Sequence, residues 1–268
     1  MAAVSLGCGG ELYERRLGET VSYFEYKDQI SRELGRVWND RGVSLQPPRQ
    51  FSLIPPPAVA EAPEGQAAFI DPSQDPRQPH YLGIELPGLI GAWDADVSVD
   101  AGGNQKAYLY VLSNYDRHLQ LQSGEGADGD PQSLIADVES SISRAIGVYL
   151  PDGTGGSGQK KNQRYQETIP RGLPHSKYQP QQQFTAITFS PEVQPTDVPV
   201  EMQIYEWEGQ KMQAAVLMVY PAAVSPREDL HNRLLLAMET FRASDQVPRS
   251  AGAGATSPAD GGRRGAAF

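Results

Sequence analysis

Apolar residues recur along this chain in two different periods, and the switch between them outlines the fold. Between Glu11 and Trp38 the residues Tyr23, Tyr26, Ile30, Leu34 and Val37 fall three or four positions apart, one stripe of a long, charge-rich helix. The stripe predicts packing against the domain that follows, because its heptads are too short and irregular to demand a coiled-coil partner. From Trp93 the period becomes two: Trp93, Ala95, Val97 and Val99 alternate with Asp94, Asp96, Ser98 and Asp100, a strand with one buried and one wet face. Ala101-Gly102-Gly103-Asn104 supplies a turn, and Lys106 to Ser113 returns as a strand apolar enough to be central, so a hairpin is predicted.

Other segments follow the same logic. Gly42 to Ile54 alternates around Pro47-Pro48 and reads as two short strands joined by a turn, ended by Pro55-Pro56-Pro57. Residues 55–80 have the Pro, Ala, Gln and Asp composition of a loop or extended linker. Asp130-Pro131 marks a helix start, with Asp capping free N–H groups, and Leu134, Ile135, Val138, Ile142 and Ile146 form its stripe. Residues 151–183, rich in Gly, Gln, Lys and Asn, read as a disordered insertion. Phe184 to Phe189 is a strand; Val200 to Trp207 and Lys211 to Tyr220, joined through Glu208-Gly209-Gln210, predict a second hairpin. Ser225-Pro226-Arg227-Glu228 reads as a capping box opening a helix with the stripe Leu230, Leu234, Ala237 and Phe241. The expected organisation is a leader at 1–10, a helix at 11–40, one α+β domain at 41–243 and a disordered tail at 244–268. Its core is an antiparallel sheet with flanking helices.

Composition narrows the function classes. The chain has 268 residues, 39% of them hydrophobic, and a formal charge of −10; the mean hydropathy is −0.48. That length can build a core without disulfides, and no run of about 18 apolar residues exists to cross a bilayer. The negative charge argues against nucleic acid, whose phosphates need clustered Lys and Arg, and would be repelled by anionic lipid. Any hold on a membrane therefore has to come from elsewhere.

One residue offers that hold. Cys8 is the only cysteine, preceded by Ser5-Leu6-Gly7 and followed by Gly9-Gly10. This resembles a bacterial lipobox, in which a peptidase cleaves before the Cys and the new N-terminus is acylated. The seven residues before it are too few for a signal peptide, so the reading expects the true start to lie upstream. The resemblance implies a membrane partner reached through the lipid on Cys8, and a location at the cell envelope. The other reading keeps Cys8 as a free thiol in a tail and the protein in the cytoplasm. The order of elements from Gly42 to Ala243 resembles the PsbP-like fold, from the entry strands around Pro47-Pro48-Arg49-Gln50-Phe51 to the closing strand Ala214 to Pro221 and last helix. That implies an α/β sandwich of the kind found in binding and assembly modules. It transfers no site residue.

Motifs with chemistry are sparse. Gly153-Thr154-Gly155-Gly156-Ser157-Gly158 fits the dinucleotide pattern literally but lacks the helix and distal acid such a loop needs, and Gln159 stands where a phosphate loop needs Lys. Asp94, Asp96, Ser98 and Asp100 begin like a calcium loop, yet Val99 and Gln105 replace the turning Gly and the closing Glu. His80, His118, His175 and His231 lie far apart, none at metal-ligand spacing. Neither catalytic residues nor a cofactor are therefore assigned. A basic island, Lys160, Lys161, Arg164, Arg171, His175 and Lys177, with Tyr165 and Tyr178, is the candidate contact for an anionic polymer or partner, Lys160, Lys161 and Arg164 foremost. The leading expectation is a non-enzymatic, membrane-anchored binding or scaffolding lipoprotein of the envelope. Two others stand beside it: an enzyme whose carboxylates or His231 meet only in the fold, and a cytosolic interaction protein.

Overall fold

A computed structural model describes residues 9–57, 72–123, 129–148, 162–172, 174–191 and 199–248. Cys8, Lys160, Lys161 and the Gly153–Gly158 run lie outside them.

The chain opens with helix α1 (Gly9–Glu33), then β1 (Trp38–Asp40), β2 (Val43–Leu45) and β3 (Ser52–Leu53). The long hairpin is β4 (Leu89–Ser98) with β5 (Asn104–Ser113), followed by helices α2 (Tyr115–Ser123) and α3 (Leu134–Ile146). A meander of β6 (Gln163–Ile169), β7 (Gln182–Phe189), β8 (Val200–Glu208) and β9 (Gln213–Pro221) leads to α4 (Leu230–Thr240) and β10 (Arg242–Ala243). Among these, β3-β4-β5-β9-β8-β7-β6 form one antiparallel sheet of seven strands, and β1-β2-β10 a small one. The first block enters at one edge, the meander starts at the other, and the two close against each other where β5 pairs with β9 from Tyr108↔Val219 to Ser113↔Ala214. The predicted α+β class, an antiparallel sheet with flanking helices, is the architecture found.

Both faces of the large sheet are covered, making three layers. On one face Trp93, Ala95, Leu109, Val111, Val216 and Met218 pack with Leu234, Ala237 and Phe241 of α4, with Tyr26, Ile30 and Leu34 of α1, and with Val43 and Leu45. On the other, Tyr110, Leu112, Ile204, Leu217 and Val219 pack with Leu134, Val138, Ile142 and Ile146 of α3 and with Leu82, Leu86 and Leu89. This double cover explains the unbroken apolar run of β9, since a strand buried on both sides has no position for water. These two surfaces are the α4 face and the α3 face of the sheet.

Several elements depart from expectation. Helix α1 stops at Glu33 because the Pro47-Pro48-Arg49 segment crosses its end: Arg49 N–H donates to Glu33 O (2.8 Å) and Gly35 N–H to Pro47 O (2.8 Å), satisfying groups a helix end leaves open. Tyr26, Ile30 and Leu34 are buried as the stripe predicts, but Tyr23, where the docked stretch begins, is exposed, and Val37 lies beyond the helix and is exposed too. The two strands expected between Gly42 and Ile54 exist but do not pair with each other. Instead β2 pairs with β1 and β10, and β3 with β4. Arg41 (φ 44°) and Gly42 (φ 75°) are both left-handed, as a two-residue hairpin turn requires, and this is what makes β1 and β2 the hairpin.

Within the span 151–183, expected to be a disordered insertion, the described residues form β6, which pairs with β7 along its full length, and a helical turn at His175–Lys177. β6 is an edge strand, and its polar alternation gave no apolar signal. The end of the 55–80 loop is also packed, with Asp75, Arg77 and Gln78 buried and a bidentate Arg77–Asp75 ion pair (2.7 Å). The 244–268 tail begins ordered, since Asp245 accepts from the backbone N–H groups of Gln210, Lys211 and Met212 at 2.9–3.1 Å. Ser225 and Glu228 do not form a capping box. Glu228 instead accepts from Ser98 N (2.9 Å) and Gln50 Nε2 (3.3 Å), tying α4's approach to β4 and to the β2–β3 connection. Asp130 does accept from Gln132 N (3.0 Å), as a cap at that start should. Helix α2 is an addition to the predicted elements, its polar sequence having little apolar periodicity.

One glycine is fixed by packing. Gly88 (φ 67°) lies where an added Cβ would stand 2.4 Å from Ser113 O, against the end of β5.

Candidate functional site

The α4 face carries a connected chain of polar side chains at its β6–β8 end. Strand alternation puts Tyr165 and Glu167 of β6 and Gln203 and Tyr205 of β8 on this one face, with Ala186 of β7 between Tyr165 and Tyr205, Phe184 opposite Glu167 and Thr188 opposite Gln203. The first turn of α4 delivers His231 above them. His231 Nδ1 lies 3.0 Å from Gln203 Oε1, and Gln203 Nε2 donates to the Tyr205 hydroxyl (2.8 Å). Tyr205 stands beside the Glu167 carboxylate, and Arg171 Nε–H donates to Glu167 Oε1. Gln203, Tyr205 and Glu167 are buried, whereas Arg171 and His231 reach solvent. The second oxygen of Glu167, also buried, has no hydrogen-bond partner among the described residues.

Electrostatics follow burial. The Tyr205 phenol is pushed well above its ordinary range, first by desolvation and then by the charge of Glu167. His231 is pushed below its ordinary value, first by desolvation and then by Arg171, with Glu167 and Asp229 opposing.

The α3 face holds a different arrangement. Glu206 of β8 is buried, with Oε1 unpartnered, beside Glu139 of α3. Arg164 of β6 bonds Glu139, so the nearest cation is engaged by the other carboxylate. Desolvation and Glu139 together push Glu206 up to about 9, which keeps it protonated at neutral pH.

A third cluster joins α1 to α4. Tyr26 O–H donates to Glu239 Oε2 (2.9 Å), and His175 Nδ1 lies 3.0 Å from Glu239 Oε1, with the His175 and Tyr26 rings 4.5 Å apart. It holds the docked half of α1 in place.

The structure accounts for the described members of the basic island. Arg164 pairs with Glu139, Arg171 with Glu167, His175 with Glu239, and Lys177 with Glu19 of α1 (3.5 Å). Arg164, His175 and Lys177 thereby seat the β6–β7 region on α3, α4 and α1, while Arg171 pairs with a carboxylate of β6 itself. Of the calcium-like carboxylates, Asp94 and Asp96 both contact Lys106 Nζ across the hairpin (2.7 and 3.1 Å). Among the described residues no three His, Cys, Asp or Glu side chains group as metal ligands would. His80 and His118 contact backbone carbonyls, of Asp75 (3.1 Å) and Lys211 (3.0 Å).

Sequence reasoning named His231, Arg164 and Arg171 but missed Glu167, Gln203, Tyr205, Glu139 and Glu206. A signal for two of them was present: β9 reads as a strand buried on both faces, so its hairpin partner β8 is buried too, and Gln203 and Glu206 there need internal partners. Matching Glu167 to Tyr205 needed β6, which sequence left in an insertion.

No protein-family model matches the chain, and no curated protein matches it in sequence.

Proposed function

We propose that this protein is a membrane-anchored lipoprotein, held by acyl chains on Cys8, whose domain serves as a binding or scaffolding module of the cell envelope. The observation that supports it is the division of α1 into two halves. Tyr26, Ile30 and Leu34 dock the second half on the domain, while Tyr13, Leu17 and Val21 of the first half, and Phe24 just past the midpoint, are 49–68% exposed. At about 100° per residue these four share a stripe on nearly the opposite side of the helix from the docked one. Continuing the intramolecular contact cannot cover them. A helix of this length spans roughly 37 Å at 1.5 Å per residue, so its first half suits a stalk between an acylated Cys8 and the domain. Several acyl chains hold a protein on a membrane stably where one does not.

The test is intact-mass analysis of the protein from its native membrane fraction, alongside a Cys8→Ser variant. A species beginning at Cys8 with added acyl mass, lost from membranes in the variant, is the expected result. A soluble, unacylated species retaining residues before Cys8 would overturn the anchor.

A further inference from the structure

Six of the nine large apolar residues that are exposed among the described ones belong to α1: Leu12, Tyr13, Leu17, Val21, Tyr23 and Phe24. Every residue from Gly10 to Val21 is exposed, so this half of the helix runs clear of the domain. A helical segment of this length gains its stability in water from packing an apolar face, and Gly10 and Gly18 lower its intrinsic propensity further. Tyr13, Leu17, Val21 and Phe24 supply such a face. Spaced four, four and three residues apart, they stay in line on a straight helix over about three turns, within a sector of about 80°. Asp28, ion-paired to Arg32 (3.2 Å), ends the stripe one turn further on. The contacts with the domain are centred about 135° away round the helix. There Glu19 meets Lys177, Tyr23 and Tyr26 meet Tyr178, and Ile30 and Leu34 enter the core. The two sides of the outward stripe differ in charge. Glu11, Glu14 and Glu25 project along one side with no cation among them, and Arg16 and Lys27 along the other with no carboxylate.

We propose that the outward stripe of α1 is the contact between two copies of this chain, paired as parallel helices about a two-fold axis that runs along them. The flanks set the direction. A parallel pair lays the acidic flank of each helix against the basic flank of its partner on both sides of the seam, whereas an antiparallel pair lays acid on acid and base on base. The same pairing leaves room for the domains, because each docks on a side of its own helix turned away from the seam. A bilayer surface fits less well: helices that lie in a membrane interface carry a polar face rich in Lys and Arg, and here one whole flank is acidic. The seam is short, so the dimer belongs to the small end of interfaces and is weak in solution. It needs no lipid on Cys8 and stands without the anchor. With the anchor, both acylated ends leave the dimer at the same end, toward one membrane.

The test is sedimentation equilibrium and mild oxidation of the full chain carrying Cys8→Ser, which separates this contact from acylation. The expected result is a monomer–dimer equilibrium with a dissociation constant of about 10–100 µM. Leu17→Glu, at an exposed position outside the core, weakens it about a hundredfold while the urea unfolding transition stays where it was. Reversing the acidic flank (Glu14→Arg with Glu25→Lys) weakens it about tenfold at low salt, and reversing the basic flank as well (Arg16→Glu with Lys27→Glu) restores it. Tyr13→Cys crosslinks to its own copy, because a parallel two-fold brings like residues together, and Arg15→Cys, turned away from the seam, does not. A chain that stays monomeric up to about 1 mM, or one that instead floats with phosphatidylcholine vesicles, would overturn the proposal. So would a dimer indifferent to Leu17→Glu, a charge reversal that its counterpart does not rescue, or an antiparallel dimer in which Tyr13→Cys links to Phe24→Cys and never to itself.

Discussion

The two faces of the central sheet each bury a glutamate at the β6–β8 end, and they treat it in opposite ways. Glu167, on the α4 face, meets Arg171 directly and has Tyr205 beside it. Glu206, on the α3 face, has an arginine nearby, but Arg164 bonds Glu139, and Glu206 is held protonated by burial and by its acidic neighbour. Both strands are the same, β6 and β8, and both glutamates are nearly inaccessible. The difference is one of counting: one cation per carboxylate on one face, one cation for two on the other. A buried charge persists where it has a dedicated partner and is neutralised where it does not. The α4 face therefore keeps a hydrogen-bonded polar chain running from Tyr205 through Gln203 to His231 at the surface, while the α3 face keeps a protonated acid.

Four perturbations separate the faces, taken from the largest expected effect. Truncating the packing of either layer, Leu234→Ala for the α4 face or Ile142→Ala for the α3 face, should cost about 3 kcal/mol each in urea unfolding, since both residues are fully buried. Unequal values would show that one layer docks more weakly. Arg164→Leu leaves Glu139 without its cation and should cost about 2–3 kcal/mol at pH 7, more than Arg164→Lys, which keeps a positive charge there. Equal losses in the two variants would mean that Arg164 matters by packing rather than by its charge.

Glu206→Gln has the opposite sign. The native acid is raised from its ordinary value near 4.5 to about 9. Its contribution is thus fully present below pH 4.5 and declines as pH rises through 9, because the unfolded chain ionises first. The amide does not titrate, so the variant should be more stable than wild type by about 2 kcal/mol at pH 7 and equal to it near pH 4. A variant less stable at both pH values would show that Glu206 is ionised in the fold. The smallest change is Tyr205→Phe, which removes a hydroxyl between Gln203 and Glu167 and should cost about 1 kcal/mol with little pH dependence between 5 and 8. A steep pH dependence would place the titration on the α4 face instead.

How much of this was legible beforehand follows from where each residue stands. The β4–β5 and β8–β9 hairpins, the α3 stripe and the α4 stripe were readable because their apolar periods belong to single segments buried by a large, continuous surface. β6 was not, because an edge strand between Gly- and Gln-rich stretches has polar residues at most positions. Its order comes from pairing with β7. The same blind spot hid the site: Glu167 and Arg164 are both on β6, so neither their faces nor their partners were available. The basic island was visible as a cluster of charge, but its acidic partners come from residues 19, 139, 167 and 239, mostly distant in sequence.

The sequence by itself determined the α+β class and the placing of the main hairpins and the two helices packed on them. Periodicity does this because burying one face of a local element is a local property of the chain. Tertiary structure alone decided that the sheet is covered on both sides, that β6 completes it, and that α1 turns one stripe inward and leaves another outward. It also decided which carboxylate has an arginine to itself. Ionisation and hydrogen-bond direction depend on neighbours within a few ångströms, and here most of those neighbours are brought together only by strand pairing and helix docking across long stretches of chain.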